Sequence, residues 1–193
     1  EGSPQQHNWN YIWDKIKDHV DIFVSHPIKE FVPPNVPSSM VVYMPPASDP
    51  LDGLNKPLNE QQQKYYLNLF NHRLMAIGQK PIDLNRPYII QVALFDPSKG
   101  IPDLQEAFKI LRGKTAIPVQ FVIVGHGATD DTDTKRIYDQ TMGKLQEAGY
   151  GHLADDVKVM LLPPNDQLLN ALVRGSYFAT QLSTAEGFEI KVT

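Results

Sequence analysis

Hydrophobic positions in the first part of the chain predict two helices and two strands. Apolar residues recur every three or four positions from Asn8 to Val20 and again from Asn59 to Ile77, which is typical of amphipathic helices. Two short continuous apolar runs, Asp21–Ser25 and Met40–Met44, predict strands, the first of them buried. Asn59 is expected to cap the second helix and Gly78 to close it.

Beyond Gly78 the pattern changes to apolar runs that alternate with helical segments. The predicted strands are Tyr88–Leu94, Val119–Gly125, Val157–Leu161 and Tyr177–Leu182, and the predicted helices between them are Asp103–Leu111, a long segment ending at Ala148, and Leu168–Gly175. Such alternation is typical of βαβ units with right-handed crossovers. The continuous run FVIV favours strands that are buried on both faces. The sequence therefore predicts an α/β fold with a parallel, Rossmann-like sheet.

Proline marks the boundary between these two patterns. The segment Asp49–Leu58 contains Pro50 and Pro57 and is the best linker candidate. We predict three parts: residues 1–48, residues 49–87 as a linker with its connecting helix, and residues 88–193 as the Rossmann-like part.

Composition narrows the class of partner. The net charge is −4 and the basic residues are scattered, so a nucleic-acid partner is not expected. The chain contains no cysteine and no apolar run of the roughly 20 residues that a membrane span needs. Its six histidines lack the spacing of metal ligands, so we expect no metal. Trp9 and Trp13 lie four residues apart, which favours core packing over a sugar platform.

Candidate chemistry lies in the loops that follow the predicted strands, because ligands bind at the carboxyl ends of parallel strands. The first loop, FDPSKG, places Lys99 and Gly100 before a helix, where a compact cation suits a phosphate oxygen; a solvated surface lysine is the alternative. In the second loop, Gly125 and Gly127 either let the backbone approach a ligand or form a turn pair around His126.

The third and fourth loops differ in character. Asn165 and Asp166 are expected to cap the helix that begins near Leu168. In the fourth loop, STAEG, the backbone N–H groups of Gly187 and Phe188 would face an anion, and Glu186 could accept hydrogen bonds from sugar hydroxyls.

These motifs together resemble a known enzyme family. FDPSKGIPDLQEAF, FVIVGHGATDD, LLPPND and STAEGFEIKVT resemble the retaining glycosyltransferases of the two-Rossmann-domain (GT-B) type. IKEFVPPNVP, MPPASDPLDGLNKPL and EGFEIKV resemble the branch of trehalose synthases and fungal-type trehalose phosphorylases. The resemblance implies that residues 1–48 end an N-terminal, acceptor-side domain and that residues 88–193 begin the C-terminal, donor-side domain.

The implied reaction moves an α-glucosyl unit with retention. The phosphorylase converts trehalose and phosphate to glucose and α-glucose 1-phosphate, and the synthase makes trehalose from a nucleotide-glucose and glucose. EGFEIKV favours the phosphorylase by resemblance only. The resemblance implies catalytic roles for Lys99, on the donor phosphates, and for Glu186. It also implies small-molecule sugar and phosphate partners and no cofactor, and it leaves a homodimer open. The absence of cysteine fits a cytoplasmic location but is equally compatible with other settings.

Two features limit this resemblance. The family pairs Glu186 with a second glutamate at what would be residue 194, so we expect the chain to be a piece of a longer enzyme and inactive alone. The family also carries an arginine at the position of Leu94, five residues before Lys99. An arginine binds phosphate through two hydrogen bonds, and its loss can remove on the order of 3 kcal/mol of transition-state stabilisation. The alternative is therefore a catalytically impaired homologue that binds a sugar phosphate for regulation.

Overall fold

A computed structural model of the chain describes residues 2–126 and 132–184, and the chain divides into two compact units after Ser48. The first unit contains helix α1 (Pro4–Ile16) and strands β1 (Phe23–Ser25) and β2 (Val41–Tyr43). The second contains α2 (Glu60–Ala76), β3 (Tyr88–Val92), α3 (Ile101–Lys114), β4 (Gln120–Gly125), α4 (Thr132–Lys144), β5 (Val157–Leu161), α5 (Asp166–Gly175) and β6 (Phe178–Thr180). Short 3₁₀ turns lie at Lys17–His19, Lys29–Phe31, Ser38–Met40, Pro97–Lys99 and Ala154–Asp156.

Helix α1 begins earlier than its apolar spacing predicts. The hydroxyl of Ser3 accepts a hydrogen bond from the backbone N–H of Gln6 at 3.2 Å, and Pro4 occupies the first turn. Both are favourable at a helix start, because the first N–H groups lack partners inside the helix and proline has none to satisfy. The predicted start at Asn8 was wrong because the first turn has no apolar residue that repeats at helical spacing.

The first unit packs its aromatic side chains around Trp13. The rings of Trp9 and Trp13 stack with centroids 5.4 Å apart, and Phe23 on β1 presents its edge to both. Trp13 is buried, so the prediction of core packing was confirmed for that ring. Strands β1 and β2 pair in parallel, but Val24 on β1 is 55% exposed. The prediction of a buried strand over residues 21–25 was therefore wrong.

Within the described residues of the second unit, four strands form a parallel sheet in the order β5-β4-β3-β6. Successive residues of the FVIV run point to opposite faces, since Phe121 and Ile123 belong to one apolar cluster and Val122 and Val124 to another. Helix α3 contributes to the first cluster and helices α2 and α5 to the second. The predicted α/β fold with strands buried on both faces was confirmed.

Helix α2 has the ends that its sequence predicts. Asn59 and Gln62 exchange hydrogen bonds as a capping box at its start. Gly78, with a φ of 77°, follows its last turn. There the N–H groups of Gly78 and Gln79 bond the carbonyls of Met75 and Leu74 at 3.0 and 2.9 Å, which is the Schellman arrangement.

This helix end aims the side chain of Gln79 at the edge strand β5. Its Oε1 accepts the backbone N–H of Val159 at 3.0 Å, and its Nε2 donates to the Val159 carbonyl at 2.6 Å. A single amide thus satisfies both backbone groups of one residue, as a neighbouring strand would. Gln79 closes this part of the sheet edge without another strand.

The predicted linker is held along part of its length. Asn170 on α5 is buried, and its Nδ2 donates to the carbonyls of Gly53 and Lys56 at 3.1 and 2.8 Å. Arg174 donates to the carbonyl of Asn55 at 2.7 Å and to Asn170 Oδ1 at 2.7 Å. The segment contains no helix or strand, but α5 fixes its second half against the second unit.

Replacing Gln79 by alanine should lower the free energy of unfolding of the second unit by about 1–3 kcal/mol, because the buried N–H and C=O of Val159 lose their partners. Urea denaturation followed by circular dichroism measures this change. Gln61→Ala is the matched control, since Gln61 is exposed on α2 and its loss should cost less than about 0.5 kcal/mol. Equal effects of the two substitutions would contradict the assigned role of Gln79.

Candidate functional site

The candidate site lies where the strand order reverses. From β3 the chain crosses over to β4 and β5 on one side, whereas β6 returns to pair with the other side of β3. In open parallel sheets this switch point leaves a crevice at the carboxyl ends of the two strands, and ligands bind there. The loops after β3 and β6 therefore flank the crevice, and they contain Lys99, Gly100 and the start of STAEG.

The loop after β3 is built around Asp96. Its carboxylate accepts hydrogen bonds from the backbone N–H of Ser98 at 2.8 Å and from the Ser98 hydroxyl at 2.5 Å. These bonds form a 3₁₀ turn over Pro97–Lys99, in which the Lys99 N–H donates to the Asp96 carbonyl at 3.1 Å. The side chain of Lys99 is half-buried at this turn. Asp96 thus fixes the backbone that carries the candidate cation.

Gly100 joins this turn to helix α3 in a conformation that requires glycine. Its φ is 63°, in the left-handed region. A Cβ at this position would lie 2.4 Å from the carbonyl oxygen of Leu182, in the loop after β6. Glycine is therefore needed at position 100 both for the turn into α3 and for the close contact with the neighbouring loop.

A second contact joins the same two loops. The backbone N–H of Thr184 donates to the carbonyl of Ser98 at 2.8 Å, and the Thr184 hydroxyl donates to the same oxygen at 3.2 Å. The structure therefore brings Lys99 and Gly100 close to the beginning of the STAEG motif.

The structure explains Gly125 by packing. A Cβ on Gly125 would lie 1.6 Å from the carbonyl oxygen of Ala93, so the end of β4 requires glycine to approach the chain after β3. This contact favours a packing role for Gly125, and the adjacent His126 is exposed.

Asn165 caps α5, as predicted. Its side chain accepts a hydrogen bond from the Leu168 N–H at 2.9 Å, and the helix begins at Asp166.

Several predicted site residues lie outside the described residues. They are Gly127 in the second loop and Glu186, Gly187 and Phe188 in the fourth. Their assignment to sugar and phosphate contacts stays a prediction.

Leu94 lies two residues beyond the end of β3, at the edge where the family resemblance places an arginine. Its side chain is 52% exposed. The position therefore offers an apolar surface to solvent at the switch point.

Sequence reasoning missed the residues that hold this site together. Ser98 and Thr184 act through backbone and hydroxyl groups, which carry no distinctive pattern. Gln91 was also missed, although a glutamine inside the apolar run YIIQVAL was a visible signal. It is fully buried, and its Oε1 accepts from the Thr180 hydroxyl at 2.9 Å across the β3–β6 pair.

Residues 2–126 and 132–184 contain no group of three or more His, Cys, Asp or Glu side chains that could together hold a metal ion. None of the helices in those ranges is long and apolar enough to cross a membrane.

The sheet order and the paired loops at its switch point define the class of protein: a Rossmann-like α/β unit of the GT-B type. A solved α,α-trehalose-phosphate synthase (UDP-forming) from Burkholderia vietnamiensis shares this fold, with a TM-score of 0.51 and 17% identity over 79% of this chain and 33% of that one. No protein-family model matches the chain.

Sequence comparison identifies the relatives more closely. The chain is 44% identical to trehalose phosphorylase from Grifola frondosa over 202 residues, which cover 100% of the chain and 27% of that protein. It is 32% identical to trehalose synthase from Pyrococcus horikoshii over 194 residues, which cover 99% of the chain and 42% of that protein. The chain is a homologue of the trehalose phosphorylases and trehalose synthases. It spans about a quarter of the length of the phosphorylase and less than half of the synthase.

Gly100→Ala should lower the free energy of unfolding by at least about 1–2 kcal/mol, the usual cost of a left-handed residue with a Cβ. The clash with the Leu182 carbonyl should add to that cost. Gly113→Ala within α3 is the matched control: apart from its chain neighbours and the backbone of the helix, no atom lies within 4 Å of the new methyl group, and a helical alanine should raise stability by about 0.5–1 kcal/mol. Urea denaturation of both variants tests the opposite signs. A Gly100→Ala variant as stable as the parent would refute the strained contact.

Proposed function

We propose that the full-length protein catalyses retaining α-glucosyl transfer in trehalose metabolism, as a trehalose phosphorylase. The observation that carries this proposal is the 44% identity to trehalose phosphorylase over 100% of the chain. The lower identity of 32% to trehalose synthase makes the synthase reaction the second choice. The phosphorylase would take trehalose and phosphate and release glucose and α-glucose 1-phosphate.

The geometry supports a phosphate-binding role for the β3 loop. Lys99 is half-buried on a turn that Asp96 fixes, directly before the first turn of α3. The N-terminus of a helix presents free N–H groups and a positive dipole end, so a neighbouring lysine adds to an existing preference for anions. In this proposal Lys99 binds the phosphate, and Glu186 with the N–H groups of Gly187 and Phe188 binds the glucosyl unit and phosphate.

The same function implies particular partners and a particular location for the protein. The protein would act on small molecules alone, without a metal or organic cofactor, and in the cytoplasm. Its net charge of −4 and its scattered basic residues do not favour a nucleic-acid partner. A homodimer is compatible with these features.

The primary assay incubates the full-length protein with trehalose and phosphate, and separately with nucleotide-glucose and glucose. Glucose 1-phosphate in the first reaction is the expected result, and trehalose in the second alone would select the synthase. Absence of both products in a folded protein would overturn the proposal.

Lys99→Ala should lower kcat/KM for phosphate by about 10²-fold or more, because it removes a cation from the transferred group's binding site. Steady-state phosphorolysis at varied phosphate concentration measures this loss. Lys114→Ala is the matched control, since Lys114 carries the same charge at the exposed far end of α3. It should leave the phosphate dependence unchanged, and equal losses would argue against a specific role for Lys99.

Leu94 supports a second candidate function, a catalytically impaired homologue that binds a sugar phosphate. Its exposed side chain offers no polar group to a phosphate at the carboxyl end of β3. If this candidate is right, the parent protein binds phosphate or glucose 1-phosphate but turns over poorly, and Leu94→Arg should raise kcat/KM by about 10²-fold. Because Leu94 is 52% exposed, the arginine should fit without disturbing the core. Unchanged phosphate affinity and turnover in the variant would show that the missing arginine is not limiting.

A further inference from the structure

Gln91 is a polar side chain in an otherwise apolar strand. It has 0% exposure, and its neighbours along β3 are Ile89, Ile90 and Val92. One end of its amide, Oε1, accepts a hydrogen bond from the hydroxyl of Thr180 at 2.9 Å, and the other end, Nε2, has no hydrogen-bond partner among the described residues. A leucine of similar size would avoid burying that unpartnered group.

The location of Gln91 gives a reason for a polar side chain at this buried position. Gln91 and Thr180 are the last register pair between β3 and β6, directly before the two loops of the candidate site. Strand β6 has only three residues, so few backbone bonds hold its end against β3. The side-chain bond to Thr180 therefore reinforces the pairing at the point where the loop after β6 departs.

Four residues after Thr180, the loop after β6 contacts the loop after β3, which carries Lys99. The Thr184 N–H and hydroxyl both bond the Ser98 carbonyl, and Leu182 contacts Gly100. Any slip of the β6 end would move Leu182 and Thr184 away from the turn that carries Lys99. Thr184 lies only four positions after Thr180, so the position of the β6 end determines where the loop after β6 lies.

We propose that Gln91 is a positioning residue for phosphate binding: it holds Thr180 so that residues 181–184 stay docked on the turn over Pro97–Lys99. The phosphate assignment rests on the function proposed above, whereas the docking of the two loops does not. The unpartnered amide end is retained for this positioning and not for stability. Gln91 itself makes no contact with substrate in this proposal.

The test compares Gln91→Leu with Gln105→Leu in the full-length protein. Gln105 is the matched control because it is also 0% exposed and has one unpartnered amide end, Oε1, while its Nε2 donates to the Thr141 carbonyl at 3.0 Å, away from β6. Gln91→Leu should leave Tm unchanged or raise it, because the Thr180 hydroxyl still has the Ile90 carbonyl at 3.2 Å. The KM for phosphate should nevertheless rise about tenfold, with the KM for trehalose unchanged.

A second readout does not depend on turnover. Hydrogen exchange of the Thr184 amide, which bonds the Ser98 carbonyl, should accelerate about tenfold in Gln91→Leu and stay unchanged in Gln105→Leu. Thr180→Val should behave like Gln91→Leu, whereas Thr180→Ser, which keeps the hydroxyl, should retain the parent exchange rate.

The outcomes separate this inference from the proposed function. If the parent protein shows no phosphorolysis, the proposed function fails, and the exchange of the Thr184 amide still decides whether Gln91 docks the loops. Unchanged exchange in Gln91→Leu, or equal acceleration in Gln105→Leu, would overturn the inference. A rise in Thr184 exchange without a change in the phosphate KM would also overturn the claim that the docking serves phosphate binding.

Discussion

The pairing of β3 with strands on both of its sides is the constraint on which the second unit depends. Because β4 and β6 flank β3, both of its edges are paired, and the loop that follows it shares one end of the sheet with the loop after β6. Helices cover its two faces. Gly125 and Gly100 are small for the same reason, since each meets a carbonyl oxygen of a neighbouring segment. The candidate phosphate loop is thus a product of strand order as much as of its own sequence.

Much of this architecture could be predicted from the sequence. The strand over Val157–Leu161 was predicted with the bounds that the structure has, and the caps at Asn59, Gly78 and Asn165 were identified from residue type. These predictions depend on local chemistry, which a single segment records completely. Helix α1 was placed too late because a polar first turn shows no periodicity, although Ser3 and Pro4 were signals of a start.

The candidate site was predictable only in outline. Glycine and lysine in the loops after strands indicated which segments would carry it, but not which of them would touch. The contact of Thr184 with Ser98 joins residues 86 positions apart through a backbone carbonyl, and no pattern along the chain records such a bond. At Gly125 the residue type was noticed, but its role could not be decided from the sequence. Ligand approach and strand packing both require a residue without a Cβ, and only the structure identifies Ala93 as its neighbour.

The side chain of Gln79 affects how readily the β5 edge can pair with a strand of another protein. Open strand edges present rows of unpaired N–H and C=O groups, and these are the usual templates for intermolecular β-pairing and aggregation. On β5 the outward groups of Val159 are already occupied by an amide from the chain itself. At Val159 the β5 edge is therefore a poor template for a foreign strand, because the residue that follows the α2 cap already occupies both backbone groups.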